Sequence, residues 1–169
     1  MKLPICNFDA KAGILCPKCD AKLRSGHITK ADVDVSNRLV KLVSQIPELD
    51  RISLVRAYDI DGSIIMVLNS GDVVSLRRDN VLRRKIEHDM GNKMWLVDAQ
   101  ATDRKLLDDL FYPVRILSVN QVWLPDGSKM TRAIIMGRRT ESFPIDLDLV
   151  KKIVKEVKGI ELLVEFEKQ

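Results

Sequence analysis

The order of apolar patterns repeats along the chain. A helical pattern is followed by two short runs of β-type residues, a second helical pattern and a final β-type run, and this order then recurs. In each copy a turn sequence typical of hairpins joins the adjacent β-type runs, Asp61-Gly62 in the first and Pro125-Asp126-Gly127 in the second. The pattern predicts an α+β chain with two small domains, at 29–99 and 100–169, preceded by a separate segment at 1–28.

Capping residues mark the predicted helix boundaries. Thr29 and Asp32 have the spacing of a capping box, and Pro47 is expected to end the helix that they begin. Gly91 and Gly159 are the expected stops of two later helices. Each helix carries one apolar stripe, which indicates packing on a sheet. The stripes comprise Val35, Leu39, Leu42, Val43 and Ile46, then Leu82, Ile86 and Met90, then Leu106, Leu107, Leu110 and Phe111.

The three cysteines all lie in the first twenty residues. Cys16-Pro17-Lys18-Cys19 is a CxxC turn, which directs two thiolates to one point at the spacing of a tetrahedral metal site. The further candidate ligands are, in order of preference, Cys6, His27, and Asp9 or Asp20. Three cysteines and a histidine fit the ligand set of structural zinc. We therefore predict a small zinc-knuckle-like segment.

Two other interpretations of the CxxC turn stay open. A redox pair is disfavoured, because such a motif normally lies between a strand and a helix of a larger α/β unit. The other alternative is a pair of buried thiols, or a disulfide bond if the source is a hyperthermophile.

Positive charge is concentrated in one short segment. The whole chain has a net charge of +4, and the nine residues from Arg77 to Lys85 include five basic residues and one acidic residue, Asp79. The basic residues are Arg77, Arg78, Arg83, Arg84 and Lys85. Ser75 to Gly91 is predicted to be a turn followed by a helix. Such clustering indicates contact with a polyanion, and the alternative is a solvated helix face.

Several classes of function are disfavoured by the sequence. The longest apolar run, Ile64 to Leu68, is too short to span a bilayer, and the N-terminus lacks a signal-peptide core, so we expect a cytoplasmic protein without a membrane partner. The chain has two histidines, which do not suggest a Ser-His-Asp or Cys-His site, and it has no glycine-rich loop for a nucleotide. We therefore expect neither an enzyme nor a small-molecule substrate. Trp95 and Trp123 are expected to pack in the core or on the sheet surface rather than to stack on bases.

The order of elements, with a basic turn opening the helix after the second strand, resembles a prokaryotic-type (type II) KH domain. The stretch "LLDDLFYPVRILSVNQVW" resembles the junction between the tandem KH domains of NusA. The segment "ICNFDAKAGILCPKCDAKLRSG", together with "VWLPDGS", is similar to the archaeal NusA-like KH proteins, a family of transcription elongation or termination factors. The resemblance covers essentially the whole chain. It implies an RNA-binding protein that modulates elongation or termination and contacts RNA polymerase.

The resemblance also locates a candidate RNA site. A KH domain holds four nucleotides of single-stranded RNA with a GXXG loop. Here the matching positions are Arg77-Arg78-Asp79-Asn80, so both glycines are absent. Asn80 is expected to tolerate a left-handed turn, and side-chain charge would replace the close backbone approach. The RNA-binding candidates are Arg77, Arg78, Asn80, Arg83, Arg84 and Lys85, and in the second copy, which also lacks GXXG, Lys129, Arg132, Arg138 and Arg139.

The missing glycines favour an alternative function. KH-like folds that have lost free RNA binding would act as docking modules for structured rRNA or for protein. The partner would then be a ribosomal subunit or another ribonucleoprotein.

Overall fold

The structure is a computed structural model, which describes residues 1–91 and 93–168. The described residues form a mixed α+β fold with seven α-helices, one 3-10 helix and two three-stranded sheets. The chain divides into two compact units, Met1–Gln100 and Ala101–Gln169. The segment 1–28 therefore belongs to the first unit.

The first unit is built around a three-stranded sheet. Its elements are α1 (Asn7–Ala12), α2 (Pro17–Arg24), α3 (Lys30–Val43), a 3-10 helix (Pro47–Arg51), β1 (Leu54–Ile60), β2 (Ser63–Leu68), α4 (Ser70–Arg78), α5 (Asn80–Met90) and β3 (Met94–Asp98). Strand β2 is central, antiparallel to β1 and parallel to β3. All of its residues are buried. The predicted hairpin turn between β1 and β2 is confirmed, with Asp61 at φ 51° and Gly62 at φ 79°, the positive values that a type I′ turn requires.

Helix α3 supplies much of the core of the first unit. Its predicted capping box is confirmed, because the Thr29 side chain accepts from the Asp32 N–H and Asp32 accepts from the Thr29 N–H. Its apolar stripe packs in one cluster with Leu54, Ala57 and Met66 of the sheet. The helix ends at Val43, earlier than predicted, and Pro47 instead begins the 3-10 helix. Proline suits that first position because the N–H that it lacks would have no helical partner there.

Asp32 links α3 to the sheet. The side chain is fully buried, and its Oδ1 accepts a 2.6 Å hydrogen bond from the Ala57 N–H of β1. Its Oδ2 accepts from the Thr29 N–H at 2.8 Å and from Arg56 Nε at 3.1 Å. Buried polar groups are stable only when they are paired in this way. One carboxylate therefore fixes both the start of α3 and its position on β1.

The turn predicted to begin at Ser75 is wrong, because Ser75 to Arg78 are the last residues of helix α4. This helix was missed because Gly71 and the adjacent valines lower helix propensity. Val73 and Leu76 are buried on the same side of the helix, so tertiary packing overrides that propensity. The predicted helix that follows is confirmed as α5, which ends at Gly91 in a left-handed conformation.

The second unit repeats the sheet topology of the first. Its elements are α6 (Asp103–Phe111), β4 (Ile116–Trp123), β5 (Lys129–Ile135), α7 (Leu147–Lys158) and β6 (Leu162–Phe166). Strand β5 is central, antiparallel to β4 and parallel to β6. The predicted helix stop at Gly159 is confirmed, with φ 66°. Within the described residues, this unit has one helix fewer between its second and third strands, because 136–146 is irregular.

Among the described residues, every helix is too short or too polar to cross a bilayer.

Candidate metal centre and nucleic-acid interface

The N-terminal cysteines lie at the starts of two short helices. Cys6 is the N-cap of α1 and Cys16 is the N-cap of α2, and neither side chain accepts the usual capping hydrogen bond. Pro17 at the first helical position favours the start of α2. The third helical positions are Asp9 in α1 and Cys19 in α2. Each helix thus contributes an N-cap thiol and a second side chain three residues later.

The two helix starts are joined by reciprocal hydrogen bonds. The Cys16 N–H donates to Asp9 Oδ2 at 2.9 Å. In the opposite direction, the Cys6 N–H donates to Cys19 Sγ at 3.4 Å. The third residue of each helix therefore caps the N-terminus of the other helix. In an ordinary capping box both residues belong to the same helix. Here the N-cap residue of each helix pairs with the third residue of the other helix, and this brings the four side chains together.

Cys6, Asp9, Cys16 and Cys19 form a candidate metal centre, with one ligand atom from each side chain within 4.8 Å of the others. Asp9 is only 1% exposed, and its second oxygen, Oδ1, is buried without a hydrogen bond among the described residues. An unpaired buried carboxylate oxygen is costly and rare. A cation at the centre of the cluster would satisfy it. The four residues therefore fit a metal ion.

The pKa values of this cluster differ from their ordinary values for local reasons. The hydrogen bond from the Cys16 N–H, with a smaller contribution from the Cys19 thiol, holds the pKa of Asp9 well below its usual range. Burial, with a contribution from Asp9, raises the pKa of the Cys19 thiol to about 12. A coordinating thiol is deprotonated by the metal that it binds. The buried Cys19 thiol would therefore lose its proton when a metal binds.

The predicted fourth ligand, His27, lies outside the cluster. Its side chain is exposed, and Nδ1 is 2.6 Å from Ser25 Oγ. Asp20, the other alternative, forms an ion pair with Arg24 at 2.8 Å. Asp9 takes the fourth position instead. Its signal in the sequence is the spacing Cys6-x-x-Asp9, which is the same as Cys16-x-x-Cys19.

The cysteines are free thiols, and Cys19 is buried whereas Cys6 is exposed. The segment around them has its own small core of buried residues, formed by Ile5, Ala10, Cys19 and Ile28. Val33 and Val40 of α3 pack against it. Two such short helices bury little apolar surface, so a metal ion would contribute substantially to their stability.

Two arginines of the basic segment make contacts within the first unit. Arg77 donates a 3.0 Å hydrogen bond from its guanidinium to the Leu96 carbonyl of β3. Arg83 is half-buried and lies 4.0 Å from Glu87. The structure therefore places these two predicted RNA-binding side chains against the protein.

Arg78 is the last residue of α4, and Arg84 and Lys85 lie in the second turn of α5. All three are exposed, and we call them the basic junction. Asp79 forms the turn and accepts a 2.9 Å hydrogen bond from the Leu82 N–H. Asn80 is the first residue of α5. Its expected tolerance of a left-handed turn is not used, because the positive φ of a non-glycine residue in the described part of the chain is at Asp61. The turn needs no glycine because Asp79 adopts φ −94° and ψ 85°.

The basic candidates of the second unit do not form one group. Arg132 forms an ion pair with Glu165 on the neighbouring strand. Lys129 lies over the Trp123 ring, with Nζ 5.6 Å from the ring centroid. Arg138 and Arg139 are exposed in the irregular segment after β5.

The two tryptophans differ in exposure. Trp95 is half-buried beside Lys93, in agreement with a packing role. Trp123 lies on the sheet but is 69% exposed, so a core position is wrong for this residue.

No protein-family model and no curated protein matches the chain. A solved structure titled "Crystal structure of APE1850" is similar in backbone. It shares 14% sequence identity, covers 76% of this chain and 96% of its own, and has a TM-score of 0.48. This similarity is too low to carry an argument about function.

Proposed function

We propose that the protein binds single-stranded RNA through the phosphate groups that its basic junction contacts. The observation that carries the proposal is the exposure of Arg78 at the end of α4 and of Arg84 and Lys85 in the second turn of α5. Among the described residues, none of these three side chains forms an ion pair or hydrogen bond with the protein. Their charge is available to a polyanion.

The chemistry of the basic junction favours phosphate contact without base selection. Arginine presents a planar fork that matches phosphate oxygens, and lysine adds a mobile charge. Asp79 occupies the N-terminus of α5 with its own carboxylate, which disfavours an anion at that helix end. Phosphates would therefore be held by side chains, and binding would be sensitive to salt.

We further propose that the two units are tandem KH-like domains and that the protein is a NusA-like transcription factor. The support is the family resemblance together with the element order of the first unit, in which the basic residues lie at the turn before the last helix. Arg77-Arg78-Asp79-Asn80 spans the junction of α4 and α5, the position to which the resemblance assigns the GXXG loop. RNA polymerase is the protein partner that this resemblance implies.

We propose zinc as the ion of the metal centre. Three thiolates and one carboxylate form a tetrahedral ligand set that zinc accepts, and sulfur-rich sites disfavour magnesium and calcium. With four protein ligands the site has no open position, so zinc would be structural.

The proposed function is tested by the salt dependence of binding to a short oligouridylate. About three phosphate contacts at roughly −0.7 each predict that the basic junction contributes about −2 to the slope of log K against log salt. Replacing Arg78, Arg84 and Lys85 with Ala should remove this contribution of about −2 and weaken binding at low salt. A matched triple variant at the exposed residues Lys11, Lys22 and Lys30 removes the same charge elsewhere and should keep most of the slope. Equal slopes in the two triple variants would contradict the proposal.

One observation favours docking as a second candidate function. The turn is fixed by protein contacts, namely the Arg77 bond to Leu96 and the Asp79 cap of α5. A turn held in this way suits a preformed surface for structured rRNA or an acidic protein patch. Co-purification of ribosomal subunits rather than RNA polymerase subunits from native extract would favour it.

A further inference from the structure

One face of the second sheet packs on the core, and this face continues to the β4–β5 hairpin, where its residues are exposed. Directly paired residues share a face of the sheet, which places Val119 with Ala133, Gln121 with Thr131 and Trp123 with Lys129. Ala133 is fully buried and Thr131 is 8% exposed, whereas Lys129 is exposed. The last residue pair before the turn therefore lies outside the core.

The turn that follows Trp123 is closed by several hydrogen bonds within the chain. The Leu124 N–H donates to the Ser128 carbonyl at 2.8 Å, and the Gly127 N–H donates to the Leu124 carbonyl at 2.9 Å. Asp126, the acidic residue of the turn, accepts from the N–H and Oγ of Ser128 at 2.9 and 2.6 Å. The ring thus has a fixed backbone beneath it and is 69% exposed.

We propose that Trp123 is a stacking platform for an unpaired base of single-stranded RNA, with Lys129 contacting the phosphate of the stacked nucleotide. The Lys129 ammonium lies 5.6 Å from the ring centroid, within the range of a cation–π contact. The ammonium therefore lies over one face of the ring, so a base would stack on the opposite face. Gln121, exposed on the same face one pair away, offers an amide that can hydrogen-bond a base edge. This inference rests on the proposed RNA-binding function and adds a second contact site to it.

The neighbours of the ring favour a nucleotide over a protein partner. A tryptophan that anchors a protein interface usually lies within a desolvated apolar patch. Here the residues that share its face in the two pairs next to the turn are the polar Gln121, Thr131 and Lys129, and the apolar neighbour on β6, Leu162, is buried. Aromatic stacking combined with adjacent positive charge is the usual design of sites for single-stranded nucleic acid. Between Ser128 and Arg139 the chain carries four basic residues and no acidic residue.

The test uses Trp123 as its own reporter. The chain has two tryptophans, so Trp95→Phe leaves Trp123 as the single tryptophan emitter. Titration with oligouridylate and oligoadenylate should quench this emission and saturate together with binding measured by anisotropy of labelled RNA. Trp123→Ala should weaken binding about tenfold, whereas Trp123→Phe should recover most of the loss. Lys129→Ala should reduce the salt slope by about 0.7.

The outcomes separate this inference from the proposed function. Removing the ring should lower affinity at every salt concentration and leave the salt slope unchanged, because the slope reports phosphate contacts. RNA binding that leaves Trp123 emission unchanged, with wild-type affinity in Trp123→Ala, would overturn the inference and leave the basic junction as the RNA site. The opposite outcome is quenching of Trp123 by RNA together with an unchanged salt slope in the variant that lacks Arg78, Arg84 and Lys85. This outcome would contradict the basic junction as the RNA site and support the inference.

Discussion

Asp9 is the residue at which the structure adds most to the sequence. A histidine is the commoner zinc ligand beside three cysteines, so residue type alone favours His27 over an aspartate. The structure places Asp9 rather than His27 in the cluster, because Asp9 lies three residues after the N-cap Cys6 and contacts the start of the second helix. Cys16 and Cys19 were predictable as candidate ligands from their CxxC spacing, whereas the fourth candidate required the geometry of the two helix N-termini.

Asp9→Asn should weaken zinc binding at least tenfold, because it removes the carboxylate charge while keeping an oxygen for the Cys16 N–H. A change in an outer hydrogen bond alone typically costs about 10–100-fold in metal affinity. The measurement is competition with a chelator, read by native mass spectrometry as one zinc per chain in the unaltered protein.

His27→Ala is the control, and it should retain zinc at the affinity of the unaltered protein. The imidazole is exposed and contacts Ser25 rather than the cluster. Loss of zinc in His27→Ala together with full retention in Asp9→Asn would contradict the assigned ligand set.

At the scale of elements, the hairpins and the capped helices were predictable. In the basic segment, helix α5 was predictable and helix α4 was not. The turn at Asp61-Gly62 and the box at Thr29 and Asp32 follow from local chemistry, since each depends on residues close in sequence. Helix α4 cannot be predicted from local chemistry, because its stability comes from burying Val73 and Leu76 in the core rather than from helix propensity. That difference changes the candidate RNA site, because it places Arg77 in a helix with its side chain on β3.

Asp32→Ala should lower the free energy of unfolding of the first unit by about 3 kcal/mol. It removes the acceptor of the buried Ala57 N–H and of the Thr29 N–H, and each unpaired group costs about 1–3 kcal/mol. Urea denaturation is the measurement. Asp34→Ala is the matched control, because this carboxylate lies on the same helix but is exposed, and its effect should stay within about 0.5 kcal/mol. Equal destabilisation by both changes would contradict the role assigned to Asp32.

At the scale of the whole molecule, the repeated order of patterns predicts the α+β class, and each unit has a sheet of two antiparallel strands with a third added in parallel. Strand order could not be read from the sequence, because the apolar pattern of a strand does not show which other strand it pairs with. Exposure of Trp123 was also not predictable, since an aromatic residue in a β-type run usually packs. Only the register with Lys129 shows that this position lies beyond the core.

The measurement that tests the RNA-binding account most directly is an NMR titration of the isotopically labelled protein with oligouridylate. We expect the amide signals from Arg78 to Lys85 to shift in proportion to bound RNA, because phosphates held by the Arg78, Arg84 and Lys85 side chains would change the electric field at these amides. The same signals should stay unchanged when free uridine, which carries no phosphate, is added. RNA binding that shifts signals elsewhere and leaves 78–85 unperturbed would contradict the account.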